Sequence, residues 1–214
     1  YTHIPFSDDV GEQWSRRRLQ AFTEAVRVIE LEHQISIDFV QAAASSVFAQ
    51  SMPDSFNTIS PGHLTFGLHP ITGARAEDSG YRKALIAVRA ALIQIGQRRR
   101  GDDLPGTRST GLDRDATTGV ILFGMDNGYR EGLASVGAYM LCRGRRCPIL
   151  SVSAEYTVVD LSGVPNASVG DLVTVIGRDG DEEIAVETVA RQLGAPSAAY
   201  WMLGLKSIPY RYSS

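Results

Sequence analysis

Lys83 and Lys206 are the only lysines among the 21 Lys and Arg residues of this chain. Chemistry that needs a buried Schiff-base lysine therefore has few candidates. Cys142 and Cys147, in "CRGRRC", match no zinc or redox spacing and lack a second pair, which makes them ordinary thiols at a hairpin. The runs Arg16-Arg17-Arg18 and Arg98-Arg99-Arg100 are flanked by acids such as Glu12 and Asp102 and read as solvated surface. The stretch "SPGHLTFGLHP", residues 60–70, raises a different question: a single His63 stands where the backbone leaves a Pro-Gly turn and enters a short apolar run.

The elements that would position these residues change character along the chain. "GEQWSRRRLQAFTEAVRVIELE" spaces Trp14, Leu19, Phe22, Val26 and Ile29 as one apolar helix face. "SIDFVQAAA" reads as a buried strand, "SSVFAQS" as a short helix, and "HLTFGL" as a further strand entered through Pro61-Gly62. With the extended start "YTHIPFS", this is the rhythm of βα units on a parallel sheet. From Tyr81 the pattern turns to strands. "YRKALIAVRAALIQIGQ" is read as a long strand, followed by short β-rich runs, "TTGVILFGM", "GAYMLCRG", "RCPILSVS", "YTVVDLSG" and "DLVTVIG", spaced as in a small barrel or sandwich. "DEEIAVETVARQLG" is expected to be a helix with acids in its first turn and Gly194 past its end. Residues 98–118 are polar and Gly-rich, a long loop.

Bulk properties narrow the partners. The 214 residues are 43% hydrophobic and 21% charged with a formal charge of −3, an ordinary globular balance. That charge supplies no electrostatic drive toward nucleic acid or an anionic membrane. No run approaches the roughly 18 apolar residues of a membrane span, and "YTHIPFSDD" has none of a signal peptide's regions, so a cytoplasmic protein is expected. A full (β/α) barrel takes about 250 residues for eight units. Residues 1–75 supply about three, which cannot close one, so the missing units are expected from a segment absent here or from another polypeptide.

The run "VVDLSGVPNASVGDLVTVIGRDGDEEIAVETVARQLG" resembles the carboxy-terminal β domain of alanine racemases. "LCRGRRCPILSVSAEYTVVDL" and "LFGMDNGYREGL" are similar to the segments that precede it in that family, the latter to its "PIGYADGYPR". "YTHIPFSDD", "FVQAAASS" and "FNTISPGHLTFGLHP" resemble the family's last barrel strands, in family order and spacing. The resemblance implies an α/β plus all-β chain: the carboxy-terminal part of a (β/α)8 TIM-type barrel over residues 1–75, then a small β-barrel domain over 76–214. It also implies a dimeric enzyme that holds pyridoxal 5'-phosphate and exchanges the Cα proton of an amino acid between two bases, one of them the cofactor-bound lysine.

By resemblance, the backbone amides at Gly62 and His63 contact the cofactor phosphate, since glycine allows close approach and successive N–H groups form an anion nest. Ser45 matches a serine that donates to the same phosphate, although capping a helix explains a serine there equally well. His3 matches a histidine that packs on the cofactor ring; a satisfied buried histidine is the plainer alternative. Ser60 stands where the family has an arginine facing the pyridine nitrogen, and Gln41 replaces the histidine that supports it. Lys206 falls near a phosphate-binding tyrosine, where its ammonium suits an anion or simply the surface. No metal site is expected.

Two features depart from an active racemase. The cofactor lysine is not on this chain, and the loop around Leu104 to Thr110, which by resemblance should carry the base tyrosine, contains none; Met125 stands where "GYADG" has its first tyrosine, which leaves Tyr129 as the nearest phenol. The family's "SMD" has become "SAE", with Glu155 as a second candidate base. The expected function is the latter portion of a pyridoxal-phosphate-dependent amino-acid racemase, whose lysine comes from an amino-terminal segment or partner chain within a homo- or hetero-oligomer. The alternative is a noncatalytic paralogue serving as a dimerisation or scaffold partner.

Overall fold

A computed structural model describes residues 1–52, 56–71, 82–104, 111–195, 197–206 and 208–212. The chain divides into two compact units, residues 1–84 and 85–214. The boundary expected between residues 75 and 76 lies outside the described residues.

The first unit is a short parallel segment. Helix α1 (Asp9–His33) begins at Asp8, whose carboxylate accepts the Gly11 N–H at 2.7 Å. It stops at Gln34, which adopts a left-handed conformation at φ 52°. Strand β1 (Gln41–Ala44) runs into α2 (Ser45–Ala49), and β2 (Thr58–Ser60) pairs with β1 in parallel, Ala44 opposite Ser60. Ile4 forms a parallel bridge with Ala43 on the other side of β1. The apolar cluster joins Ile4, Phe6, Leu19, Ala42, Val47 and Met52.

Of the five residues expected on the buried face of α1, Leu19 is buried, Phe22 and Val26 are half-buried, and Trp14 and Ile29 are exposed. Length explains this. A 25-residue helix extends about 37 Å, whereas a four-residue strand extends about 13 Å, so within this unit the helix outruns the strands beneath it.

"HLTFGL" is not a strand. Pairing with β1 ends at Ser60, and residues Gly62–Thr65 form a single helical turn, α3, after Pro61. The Ser45 hydroxyl accepts the His63 N–H at 3.0 Å and the Leu64 N–H at 3.4 Å, which satisfies donors a strand would have left without a neighbour.

The second unit is a closed antiparallel barrel. Strands β3 (Val88–Arg98), β4 (Ala116–Ile121), β7 (Thr157–Asp160), β6 (Arg145–Val152), β5 (Tyr139–Cys142) and β8 (Leu172–Asp179) follow one another in space, and β8 returns to β3. One strand makes the closure. Residues Val88–Ala91 of β3 pair with β8, and Leu92–Arg98 pair with β4 across a bulge. Leu92, Ile121, Met140, Leu141, Val159, Val173 and Val175 are fully buried. Cys142 and Cys147 are buried free thiols on the β5–β6 hairpin, whose turn residues Arg143 and Gly144 both have positive φ.

Two other expectations change. "DEEIAVETVARQLG" is split: β9 (Glu182–Ile184) folds back on β8 through Gly180 at φ +61°, and only α4 (Val186–Gln192) is helical. Its acids serve as sheet partners rather than a helix start, with Glu182 paired to Arg146 and Glu183 to Arg178, each at 2.8 Å. The loop after β3 is not wholly polar, since Leu104 and Leu112 bury against Ala116 and Val158. Its residues 105–110 lie outside the described set. Helix α5 (Ala198–Leu203) follows α4.

Candidate functional site

In the first unit the candidate residues converge at the carboxyl ends of the parallel strands, where ligands bind in open and barrel α/β folds. Ser45 is buried at the end of β1. Its own helix is capped by Ala44, so its hydroxyl serves the neighbouring α3 instead. With two N–H groups accepted, the hydroxyl proton remains available to a ligand oxygen. An added Cβ at Gly62 meets nothing within 4 Å, which leaves the backbone there open to close approach. His63 is half-buried, and burial lowers its pKa below the ordinary histidine value, which keeps the imidazole neutral at pH 7.

Ser60 also belongs to this cluster. Gln41 Nε2 donates to Ser60 Oγ, so the two replacements noted in the sequence act as a pair: the glutamine orients the serine and leaves its O–H to donate. His3 is exposed, beside the inward-turned Ile4, and is therefore not a satisfied buried histidine. Sequence reasoning passed over Ser46, whose buried hydroxyl accepts the Phe6 N–H at 2.9 Å and ties the first extended segment to the same strand ends.

The second unit carries a separate cleft of about 510 Å³, lined by Arg89, Phe123, Asp126, Asn127, Glu155 and Pro209 among others. Next to Asp126 and Glu155 the backbone makes a tight approach. The Met125 and Asp126 amides donate to the Ser153 and Ala154 carbonyls at 3.0 and 2.9 Å, and a Cβ on Gly124 would lie 2.5 Å from the Ala154 oxygen. Glu155 is exposed at this cleft.

Tyr129 lies in the interior of the second unit. It is only 4% exposed and packs edge-to-face on Phe123 at 4.8 Å. Burial raises its phenol far above the ordinary tyrosine range. Lys206 is exposed, and its carbonyl accepts from Asn127 Nδ2 at 3.3 Å. Asn127 went unnoticed as a chemical residue, though "DNG" in "GMDNGY" is a turn signal. Among the described residues no three His, Cys, Asp or Glu side chains group to hold a metal, and no helix is long and apolar enough to cross a membrane.

A parallel βα segment with serine and backbone donors at its strand ends is followed along the chain by a small closed β barrel. Residues 85–211 match the family model for the alanine racemase C-terminal domain. The chain is 30% identical over 142 residues to an alanine racemase of Piscirickettsia salmonis, covering 66% of this chain and 82% of that protein. It is 24% identical over 199 residues to one of Methanococcus maripaludis, covering 91% and 51%. The crystal structure of alanine racemase from Bacillus anthracis with bound L-Ala-P superposes with a TM-score of 0.81 at 22% identity, over 96% of this chain and 52% of that one. The chain belongs to the alanine racemase family, and it spans about half the length of the Methanococcus protein.

Proposed function

We propose that the chain is the latter portion of a pyridoxal-phosphate-dependent racemase that acts at the Cα proton of an amino acid, a cytoplasmic isomerase. In this proposal an amino-terminal barrel segment or separate chain supplies the cofactor lysine, and residues 1–84 complete a TIM-type barrel with it inside a homo- or hetero-oligomer. The observation that carries the reading is the Ser45 hydroxyl, which accepts the His63 and Leu64 amides and so keeps its own proton to donate, beside the open backbone of Gly62, a pairing suited to a phosphate oxygen.

Ser45 donates its free hydroxyl proton to a phosphate oxygen, and the Gly62 backbone lets that oxygen approach. His63, neutral, adds no charge of its own, and its backbone N–H goes to the Ser45 hydroxyl, which it helps to orient. Ser60, oriented by Gln41, donates to a ring nitrogen without protonating it. His3 lies on the exposed side of its extended segment, open to a ring. When bound, the cofactor would supply a π system that delocalises the electron pair left as the Cα proton departs. In the second unit the exposed Lys206 offers a cation suited to an anion, and Glu155, solvated at its cleft, is the remaining candidate to hold or return a proton.

A second reading draws on Met125 and the buried Tyr129: a noncatalytic relative that keeps the fold as a dimerisation partner. Absorbance separates the two. Mixed with the lysine-bearing segment and pyridoxal phosphate, the chain is expected to give a visible band that borohydride bleaches, with the label on a lysine outside residues 1–214. Gly62→Asp should abolish the band by setting a carboxylate against the phosphate. No band with the wild-type chain rejects the enzyme, and a band unchanged in the variant moves the phosphate away from Gly62.

A further inference from the structure

The carboxy-terminal segment of the second unit is fastened to the 124–128 turn at two points. Asn127 Oδ1 accepts the Gly124 N–H at 2.9 Å, while its Nδ2 donates to the Lys206 carbonyl at 3.3 Å. The buried Trp201 donates its Nε1–H to the Gly128 carbonyl at 2.8 Å. Only one orientation of the Asn127 amide satisfies its two partners, because a backbone N–H requires an acceptor and a carbonyl requires a donor. The far side of the same turn is bonded to Ser153 and Ala154. The turn is thus the fixed point between the 153–155 segment and the segment that bears Lys206, and the cleft lined by Asp126, Glu155 and Pro209 runs along it.

We propose that Asn127 is a positioning residue for Lys206, clamping the backbone at Lys206 to the 124–128 turn so that the ammonium is presented from a set place. For its functional consequence this rests on the anion-binding role given to Lys206 above. The amide matters, since an aspartate would still accept from Gly124 but would set a carboxylate oxygen against the Lys206 carbonyl. Trp201 holds α5 whatever occupies position 127, so losing the Asn127 donor frees the chain beyond Leu205 and leaves the barrel folded.

The chain's two lysines make the test direct. An endoproteinase specific for lysine cuts the full chain after Lys83 and after Lys206, and the first cut serves as the internal standard. Asn127→Asp is expected to raise cleavage after Lys206 relative to Lys83 by roughly three- to tenfold, the equivalent of one net hydrogen bond, with an unchanged circular dichroism spectrum. In the chain labelled with 13C at the lysine ε carbons, inorganic phosphate should shift the Lys206 signal, and the variant should need roughly three times more phosphate or above. An unchanged cleavage ratio, or a Lys206 signal that answers phosphate equally in both chains, overturns the proposal. A Lys206 signal silent to phosphate in the wild-type chain, with cleavage raised in the variant, would instead refute the anion role of Lys206 and leave the clamp standing.

Discussion

Single atoms decide whether the 124–128 turn can exist. A methyl on Gly124 would meet the Ala154 and Ser153 carbonyl oxygens at 2.5 and 2.6 Å, and backbone cannot rotate away as a side chain can. Gly124→Ala should therefore cost roughly 1–3 kcal/mol, read as a lower urea midpoint with an unchanged slope. Asp160 provides a pH signature. Burial raises its carboxyl, but hydrogen bonds from Ser162 and the Arg114 guanidinium outweigh that, and the net pKa is lowered. A carboxyl lowered on folding adds stability that is present above the ordinary aspartate range and is lost as pH falls through the folded value. The urea midpoint should fall as pH drops below the ordinary aspartate pKa of about 3.9, and Asp160→Asn should flatten that part of the profile.

A single side chain also decides the form of α3. Its first amides depend on an acceptor from another element, the Ser45 hydroxyl at the end of β1, because Pro61 has no side-chain acceptor to cap them. Ser45→Ala leaves the His63 and Leu64 amides without that acceptor. It should destabilise the turn by roughly 1–2 kcal/mol, seen as hydrogen exchange about tenfold faster at those two amides and unchanged across β4–β7. Survival of their protection would show that another group caps α3. The β8–β9 hairpin follows the same logic. Gly180 at positive φ returns the chain, and the ion pairs from Glu182 and Glu183 complete what the helix reading would have wasted on solvent.

The two units differ in self-sufficiency as whole bodies. Residues 85–212 close on themselves, with every barrel strand paired on both sides and a buried aliphatic interior. Expressed alone, that stretch should unfold in one cooperative transition whose calorimetric and van't Hoff enthalpies agree. Among the described residues of 1–84 are one parallel strand pair, a bridge and a long helix in which Ser15 and Leu19 alone are buried. Alone they should lack a cooperative transition, since parallel sheet needs cover on both faces. A sharp two-state melt for residues 1–84 would contradict the proposal that they belong to a larger barrel.

Local pattern was enough to place the β-rich half, the short helix after β1 and the hairpin thiols, because alternation, turn residues and burial agree there. Motif order was enough to point to the family. What local pattern could not decide were contacts made across long separations. Ser45 reaches His63 over 18 residues and turns an apparent strand into a helical turn. Gln41 reaches Ser60 over 19, and Asn127 reaches Lys206 over 79. Tyr129, a plausible base by type, became core once Phe123 closed over it. Residue types and periodicity report what each segment can do by itself. Which donor meets which acceptor, and which phenol loses water, is settled only when distant segments pack, because those energies exist only between them.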